Sequence, residues 1–142
     1  MINLSGLSNN IFFPGDNSIA HQNAAISWYK ANNIGSITLG WQIPIDPATG
    51  AIVASATNPA FPSNQFVGTP LADIQAFAQQ ATSNGLQVVL KPYFINSATA
   101  MNIGAPGANE NLAAITATMG SYLPQVAKVA QEEARKFASK EY

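Results

Sequence analysis

The side chains best suited to bind a ligand are two aromatic rings, two amides and an ammonium that follow two apolar segments of the chain: Trp41, Gln42, Lys91, Tyr93 and Asn96. An aromatic ring can stack on the flat face of a sugar while neighbouring amides satisfy its hydroxyls. A lysine at the end of a buried strand must find a partner or reach solvent. The pattern predicts a carbohydrate-binding groove flanked by Trp41 and Tyr93. An equally good interpretation of Trp41 is a ring that simply closes the end of a sheet.

The carboxylates of the chain offer no clear catalytic pair. Asp16 and Asp46 are candidates on loops, but Asp46 lies in an Asp-Pro turn that explains it without catalysis. Asp73 and Glu110 fall in the first turns of predicted helices, where a carboxylate complements the helix dipole. The catalytic residues therefore stay unassigned.

Metal and cofactor chemistry lack the residues that they need. The chain has no cysteine and His21 is its only histidine, so thiolate sites and paired-histidine metal sites are excluded. The cluster from Gly104 to Gly107 has neither the spacing nor the strand-to-helix context of a phosphate loop. The sequence predicts no metal and no cofactor.

The clearest structural unit begins at Thr69, which can cap a helix whose first position suits Pro70. The Asn84-Gly85 pair provides a left-handed stop for that helix. The apolar run from Leu86 to Leu90 then predicts a strand covered on both faces. Pro92 is expected to end this strand, because a proline cannot donate to the ladder.

Two weaker units precede it. They comprise a strand at Ile2–Leu7, a loop at Ser8–Asp16, a helix capped by Asn17 or Ser18 that ends around Asn33–Gly35, and a strand at Ser36–Gln42. Segment 43–68 is expected to be a functional loop with a short hairpin arm at 51–54, because long connections in compact domains are uncommon. A final helix is predicted from Glu110 to about Ser139, bent or broken near Gly120 and Pro124.

Alternation of strands and helices predicts an α/β fold of about three βα units with parallel strands, in one domain covering residues 1–142. An open doubly wound sheet and part of a (βα)8 TIM barrel are both compatible with this pattern. A complete barrel needs roughly 200 residues or more. The chain is therefore too short to form one.

Composition limits the partners. Only 9% of residues are charged and the net charge is −1, so the chain lacks the basic surface that nucleic acid or an anionic membrane requires. The low charge favours an exported or cell-surface protein, with an uncharged family bias as the alternative. The first residues lack a basic start followed by an apolar run, so no intact signal peptide is predicted.

The segments NNIGSITLGW, Thr69-Pro70, NGLQVVLKPYF and SYLPQVAKVAQEE, in this order, resemble the first third of TIM-barrel glycoside hydrolases of clan A. The mannanase- and cellulase-like group is the most similar. The resemblance covers Leu4 to about Glu133, and its sharpest element is Leu90-Lys91-Pro92. It implies a partial TIM barrel, a retaining O-glycosyl hydrolase reaction on a β-linked polysaccharide such as a mannan, xylan or glucan, and substrate subsites at Trp41, Gln42, Lys91, Tyr93 and Asn96.

Two departures from the family pattern bear on activity. Tyr93 stands where family members usually carry histidine after Lys-Pro. The family's two catalytic glutamates belong to its fourth and seventh strands, whereas this chain runs from Glu133 to Tyr142 with no fourth strand. A retaining glycosidase needs both carboxyl groups, so the isolated chain is predicted to be inactive.

Two alternatives stay open. One is a non-catalytic carbohydrate-binding or surface-interaction domain, and the other is an unrelated small doubly wound protein. The predicted partner is a carbohydrate, with no nucleic acid and no membrane. A three-stranded piece of a barrel would leave strand edges unpaired, so self-association or a complementary barrel half is also expected.

Overall fold

A computed structural model describes residues 10–12 and 18–140 of the chain. Its elements in chain order are β1 (Asn10–Phe12), α1 (Ile19–Ala31), β2 (Ser36–Ile45), β3 (Ser55–Thr57), β4 (Gln65–Val67), α2 (Leu71–Ser83), β5 (Gln87–Asn96) and α3 (Leu112–Ser139). The predicted α/β class with parallel strands is confirmed. The predicted strand at Ile2–Leu7 lies outside the described residues, and the segment predicted as a loop at Ser8–Asp16 contains β1.

The main sheet has three strands in the order β1-β2-β5, and both pairings are parallel. Strand order therefore follows chain order. Along β2 the side chains of Ile37, Leu39 and Trp41 are fully buried in one cluster with residues of all three helices. Because side chains alternate along a strand, the residues between them point to the opposite face, which none of the described helices covers.

Strand β5 continues through Pro92 to Asn96, so the prediction that Pro92 ends the strand is wrong. The amide of Gln87 donates to Gly35 and that of Ser97 donates to Ile45, which shows that odd-numbered residues direct their backbone groups toward β2. Even-numbered residues, Pro92 among them, direct theirs toward the free edge. A proline costs the ladder nothing at such a position.

Helix α1 begins as expected, since the Ser18 hydroxyl accepts a hydrogen bond from the amide of His21 at 3.1 Å. It ends at Ala31, slightly before the predicted stop. Helix α2 differs at its start, because Pro70 occupies the capping position predicted for Thr69. Thr69 precedes the cap and is buried, with its amide donating to the Gln42 carbonyl. The predicted left-handed stop is confirmed by Gly85, whose φ is 82°.

Helix α3 is a single element of 28 residues that passes both Gly120 and Pro124, so the predicted break is absent. A proline inside a helix clashes with the carbonyl four residues earlier, and here that residue is Gly120. Apart from the neighbouring backbone of α3 itself, no atom lies within 4 Å of the position that a Cβ of Gly120 would occupy. The backbone has room to adjust at this point, and Pro124 itself is exposed.

Segment 43–68 is more ordered than a loop. Strand β2 extends to Ile45, and residues 51–53 fold back against its end, where Val53 donates to the Pro44 carbonyl. A hairpin of β3 and β4 follows, so the arm predicted at 51–54 lies a few residues too early. A Cβ on Gly68 would stand 2.6 Å from Pro44 Cδ, which requires glycine where the hairpin returns to β2.

The core joins the middle strand to the last helix by one polar contact. The Trp41 indole Nε1 donates a 2.8 Å hydrogen bond to the Tyr122 hydroxyl, and both side chains are buried. Burial raises the pKa of the Tyr122 phenol, so the group is neutral at pH 7. Phe94 packs edge-on against the Tyr122 ring with 5.7 Å between the ring centroids.

We expect Tyr122→Phe to lower the free energy of unfolding by about 1–3 kcal/mol, because the Trp41 N–H would be left buried without an acceptor. Chemical denaturation of the single variants Tyr122→Phe and Trp41→Phe and of the double variant measures the coupling between the two groups. Strictly additive effects of the two substitutions would contradict this role for the hydrogen bond.

Candidate functional site

The five residues predicted to bind substrate divide between the two faces of the sheet. Trp41 pairs in register with Pro92 and faces the helices, whereas Gln42 pairs with Tyr93 and faces away from them. The prediction that Trp41 and Tyr93 flank one groove is therefore wrong. The physical reason is the two-residue period of a strand, which sends neighbours such as Trp41 and Gln42 to opposite faces.

Trp41 and Asn96 both serve the interior. Trp41 has no exposed surface, so its indole cannot stack on a ligand in this conformation. Asn96 is 1% exposed, its amide nitrogen donates to Glu110 Oε2 at 2.8 Å, and its side-chain oxygen accepts from the Ala98 amide. These contacts fix the loop that follows β5. Sequence analysis placed Asn96 in the loop beyond the strand, whereas it is the last residue of β5, and it could not foresee that its polar groups are used internally.

The other three predicted residues meet on the open face of the sheet, which we define by Thr38, Gln42, Val89, Lys91 and Tyr93. The Lys91 ammonium lies 5.6 Å from the centroid of the Tyr93 ring, a cation–π distance. Gln42 and Tyr93 are register neighbours and half-buried. Val89 is 49% exposed, which confirms that the face is accessible.

Gln42 carries a polar atom without a hydrogen-bond partner. Its Oε1 is buried and accepts no hydrogen bond. Leaving such an acceptor unpaired costs free energy, so a ligand hydroxyl or amide that reached it would be favoured. An ammonium donor and an aromatic ring on one surface are groups that bind sugars through hydrogen bonds and ring stacking.

The carboxylates near the strand ends are committed to structure. Asp46 Oδ1 accepts hydrogen bonds from the amides of Ala48 and Thr49, and these bonds lower the pKa of its carboxyl group. Glu110 holds Asn96 with one oxygen and the amide of Gly104 with the other. The turn interpretation of Asp46 is confirmed, and both carboxylate oxygens of Glu110 accept hydrogen bonds within the fold. The remaining loop candidate, Asp16, lies outside the described residues.

An apolar cavity of about 400 Å³ lies at the carboxyl end of β2. It is lined chiefly by Ile43, Pro44, Ile52, Val67, Leu71 and Tyr122. Gln42 also lines this cavity, so the cavity adjoins the open face at the carboxyl end of β2. Its walls carry none of the charged groups that acid–base chemistry requires.

Sequence analysis missed one unusual carboxylate. Glu133 on α3 is 3% exposed, and neither of its oxygens accepts a hydrogen bond. Lys136 Nζ lies 3.7 Å from Oε1, too far for a hydrogen bond. Desolvation raises the pKa of Glu133 above its ordinary 4.5. Helical spacing could have predicted this burial, since Glu133 follows the buried Val126 and Val129 at intervals of three and four residues.

Within residues 10–12 and 18–140, no group of three or more His, Cys, Asp or Glu side chains stands close enough to share a metal ion. None of the helices in this part of the chain has an apolar stretch long enough to cross a bilayer. Comparisons with protein-family models, curated proteins and solved structures give no match. The geometry of the open face is therefore the basis for a functional proposal.

We expect the free energy of unfolding to fall as pH rises from about 4.5 toward the raised pKa of Glu133, because the unfolded carboxyl ionises more readily than the folded one. Glu133→Gln should remove this fall and be more stable than the parent at neutral pH. Denaturant titrations across that pH range measure both effects.

Glu132→Gln is the matched control. The neighbouring Glu132 pairs with Arg135 at 2.8 Å on the exposed side of α3, and that hydrogen bond lowers its pKa. The small contribution of Glu132 to the free energy of unfolding should instead be lost as pH falls. Identical pH profiles for Glu133→Gln and the parent would contradict a desolvated carboxylate at residue 133.

Proposed function

We propose that this chain is the amino-terminal part of a glycoside-hydrolase-like TIM barrel and that it binds β-linked polysaccharide on its open face without cleaving it. The observation that carries the proposal is the convergence of Gln42, Lys91 and Tyr93 on a sheet face free of the described helices. In a barrel this face would line the interior, where substrate-contacting side chains stand near the carboxyl ends of strands.

The strand order supports a barrel segment over a doubly wound sheet. Parallel crossovers are right-handed in nearly all proteins. When strands are added in one direction, as in β1-β2-β5, right-handed crossovers place every helix that connects two strands on the same face. A doubly wound sheet reverses direction and covers both faces. Burial of Ile37, Leu39 and Trp41 against residues of all three helices is the pattern that a barrel segment requires.

Binding without cleavage is favoured by the state of the carboxylates. Hydrolysis with retention needs two carboxyl groups about 5–5.5 Å apart across the scissile bond. Asp46 and Glu110 are held by backbone and side-chain donors, and Glu133 is buried on α3. The state of these carboxylates therefore favours a non-catalytic carbohydrate-binding domain. A polysaccharide ligand also accords with an extracellular or cell-surface location.

We expect β-linked manno-, xylo- or gluco-oligosaccharides to perturb the NMR signals of open-face residues and to bind weakly. Tyr93→Ala should weaken binding several-fold, since a single aromatic contact contributes about 1 kcal/mol. Lys91→Ala should weaken it further. Trp28→Ala provides the control, because Trp28 is 58% exposed on α1, away from the open face. Equal loss of binding in Trp28→Ala and Tyr93→Ala would refute the placement of the site.

We expect the purified chain to release no reducing sugar from mannan, xylan or cellulose and no product from aryl glycosides. The reason is the absence of a free carboxylate pair on the open face of the described residues. Turnover that copurifies with the chain and disappears in Asp46→Asn or Glu110→Gln would show that the chain is itself an enzyme.

A further inference from the structure

The cavity at the carboxyl end of β2 is a pocket between elements that pack on one another. Its walls come from the end of β2, from the connection between β2 and α2, from the first turn of α2, and from Tyr122 on α3. Ile43 and Tyr122 are buried, whereas Ile52 and Val67 are 48% and 37% exposed. The pocket therefore has a buried floor and exposed apolar side chains around its opening, which we call the β2-end pocket.

The size and polarity of the β2-end pocket suit an apolar molecule better than water. An enclosed apolar cavity of about 150 Å³ binds benzene and stays dry without it, and this pocket has about 400 Å³. A bound water needs roughly two to four polar partners. Carbonyl groups on the walls are already in use, since Pro44 accepts from the amide of Val53 and Ala54 accepts from that of Gly68. Water in the pocket is therefore held weakly and easily displaced.

One wall of the pocket carries a hydroxyl group whose proton has no acceptor. An indole N–H can only donate, so the Tyr122 oxygen is the acceptor in its 2.8 Å hydrogen bond with Trp41 Nε1. Among the described residues, Tyr122 makes no other hydrogen bond. Burial raises the pKa of this phenol, so the proton is present at neutral pH. The Tyr122 O–H is thus a buried donor still available to a partner.

The contacts of Tyr122 also fix where this donor stands. Trp41 is fully buried on β2, and Phe94 packs edge-on against the Tyr122 ring, so the phenol is held against the sheet. Ile43, on the same face of β2 as Trp41, lines the pocket together with Tyr122. Because the phenol oxygen accepts from the indole, its own O–H is polarised and becomes a stronger donor. A ligand oxygen in the pocket would recover the free energy that this unpaired donor costs.

From this geometry we propose that the β2-end pocket binds an uncharged, mainly apolar small molecule whose oxygen accepts a hydrogen bond from the Tyr122 hydroxyl. A charged ligand would lose its hydration without gaining an ionic partner, because none of the side chains on these walls is charged. The site is independent of the carbohydrate proposal. Lys91 and Tyr93, the groups assigned to sugar binding, do not line the pocket.

Three probes separate the parts of this proposal. Acetophenone has an apolar ring and a carbonyl acceptor, ethylbenzene has the same carbon skeleton without the oxygen, and benzoate has a charge. We expect acetophenone to bind with a dissociation constant of roughly 0.1–1 mM, which is ordinary for a ligand of this size. Benzoate should bind at least about tenfold more weakly, because its charge must be desolvated.

NMR titration of the whole chain locates the binding. Acetophenone should shift the indole N–H signal of Trp41, because the carbonyl and the indole share the Tyr122 hydroxyl group. The indole signal of Trp28 should stay unchanged, since Trp28 is exposed on α1. Ethylbenzene should shift the signals of the same pocket residues with a smaller effect on the Trp41 N–H.

Tyr122→Phe should weaken acetophenone binding about two- to tenfold and leave ethylbenzene binding unchanged, which also shows that the pocket is intact. Ala54→Phe places a ring on a wall of the pocket and should abolish binding of both probes. Ala60→Phe is the matched control, because Ala60 is exposed in the same connection but does not line the pocket. It should bind both probes like the parent.

Circular dichroism melting establishes that each variant is folded. The pocket is refuted if the parent binds neither acetophenone nor ethylbenzene at millimolar concentration, if benzoate binds as tightly as acetophenone, or if Ala60→Phe loses binding as Ala54→Phe does. The role of the hydroxyl is refuted if Tyr122→Phe weakens both neutral probes equally. If Tyr122→Phe does not fold, the Trp41 signal of the parent decides, and its failure to shift with acetophenone refutes that role.

The two proposed sites fail separately. Acetophenone binding by a chain that binds no oligosaccharide would refute the carbohydrate proposal alone. Oligosaccharide binding by a chain that binds neither neutral probe would refute the β2-end pocket alone.

Discussion

The handedness of two crossover connections determines which surfaces of this molecule are available. Strands are added in one direction, β1-β2-β5, and right-handed crossovers then place α1 and α2 on one side of the sheet, where α3 also packs. One sheet face becomes a core that holds Ile37, Leu39 and Trp41. The other face is left to Gln42, Lys91 and Tyr93. The same directional growth leaves β5 as the edge strand with α3 beside it.

Sequence signals predicted the helices and strands well where neighbouring residues alone determine the structure. Ser18 caps α1, Gly85 adopts the left-handed conformation after α2, and the two strands that carry the proposed site were both identified. One error concerns the end of a strand. A proline was taken as a terminator of β5, but whether Pro92 breaks a ladder depends on which neighbour its nitrogen faces. That direction is set by the tertiary pairing with β2.

Only part of the site was predicted, and the cause is again the tertiary pairing of the strands. The register between β2 and β5 places three of the predicted residues on one face of the sheet: Gln42, Lys91 and Tyr93. Trp41 and Asn96 have the other parity, and a sequence gives parity within a strand but not the register between strands. Glu133 was missed because a carboxylate on a helix is normally solvated, and only the packing of α3 reveals that this one is not.

The hydrogen bond between Trp41 and Tyr122 joins residues 81 positions apart, and this separation has consequences for folding kinetics. Helix α3 can form locally within microseconds, but its hydrogen bond to Trp41 can form only when the helix packs on the sheet. Contacts of such long range slow folding, since loop-closure entropy is lost before they form. During synthesis α3 leaves the ribosome after both strands, so the Trp41 indole stays exposed to solvent until α3 docks. With Trp28 solvent-exposed in the folded chain, the change in intrinsic fluorescence reports the arrival of α3 on the sheet.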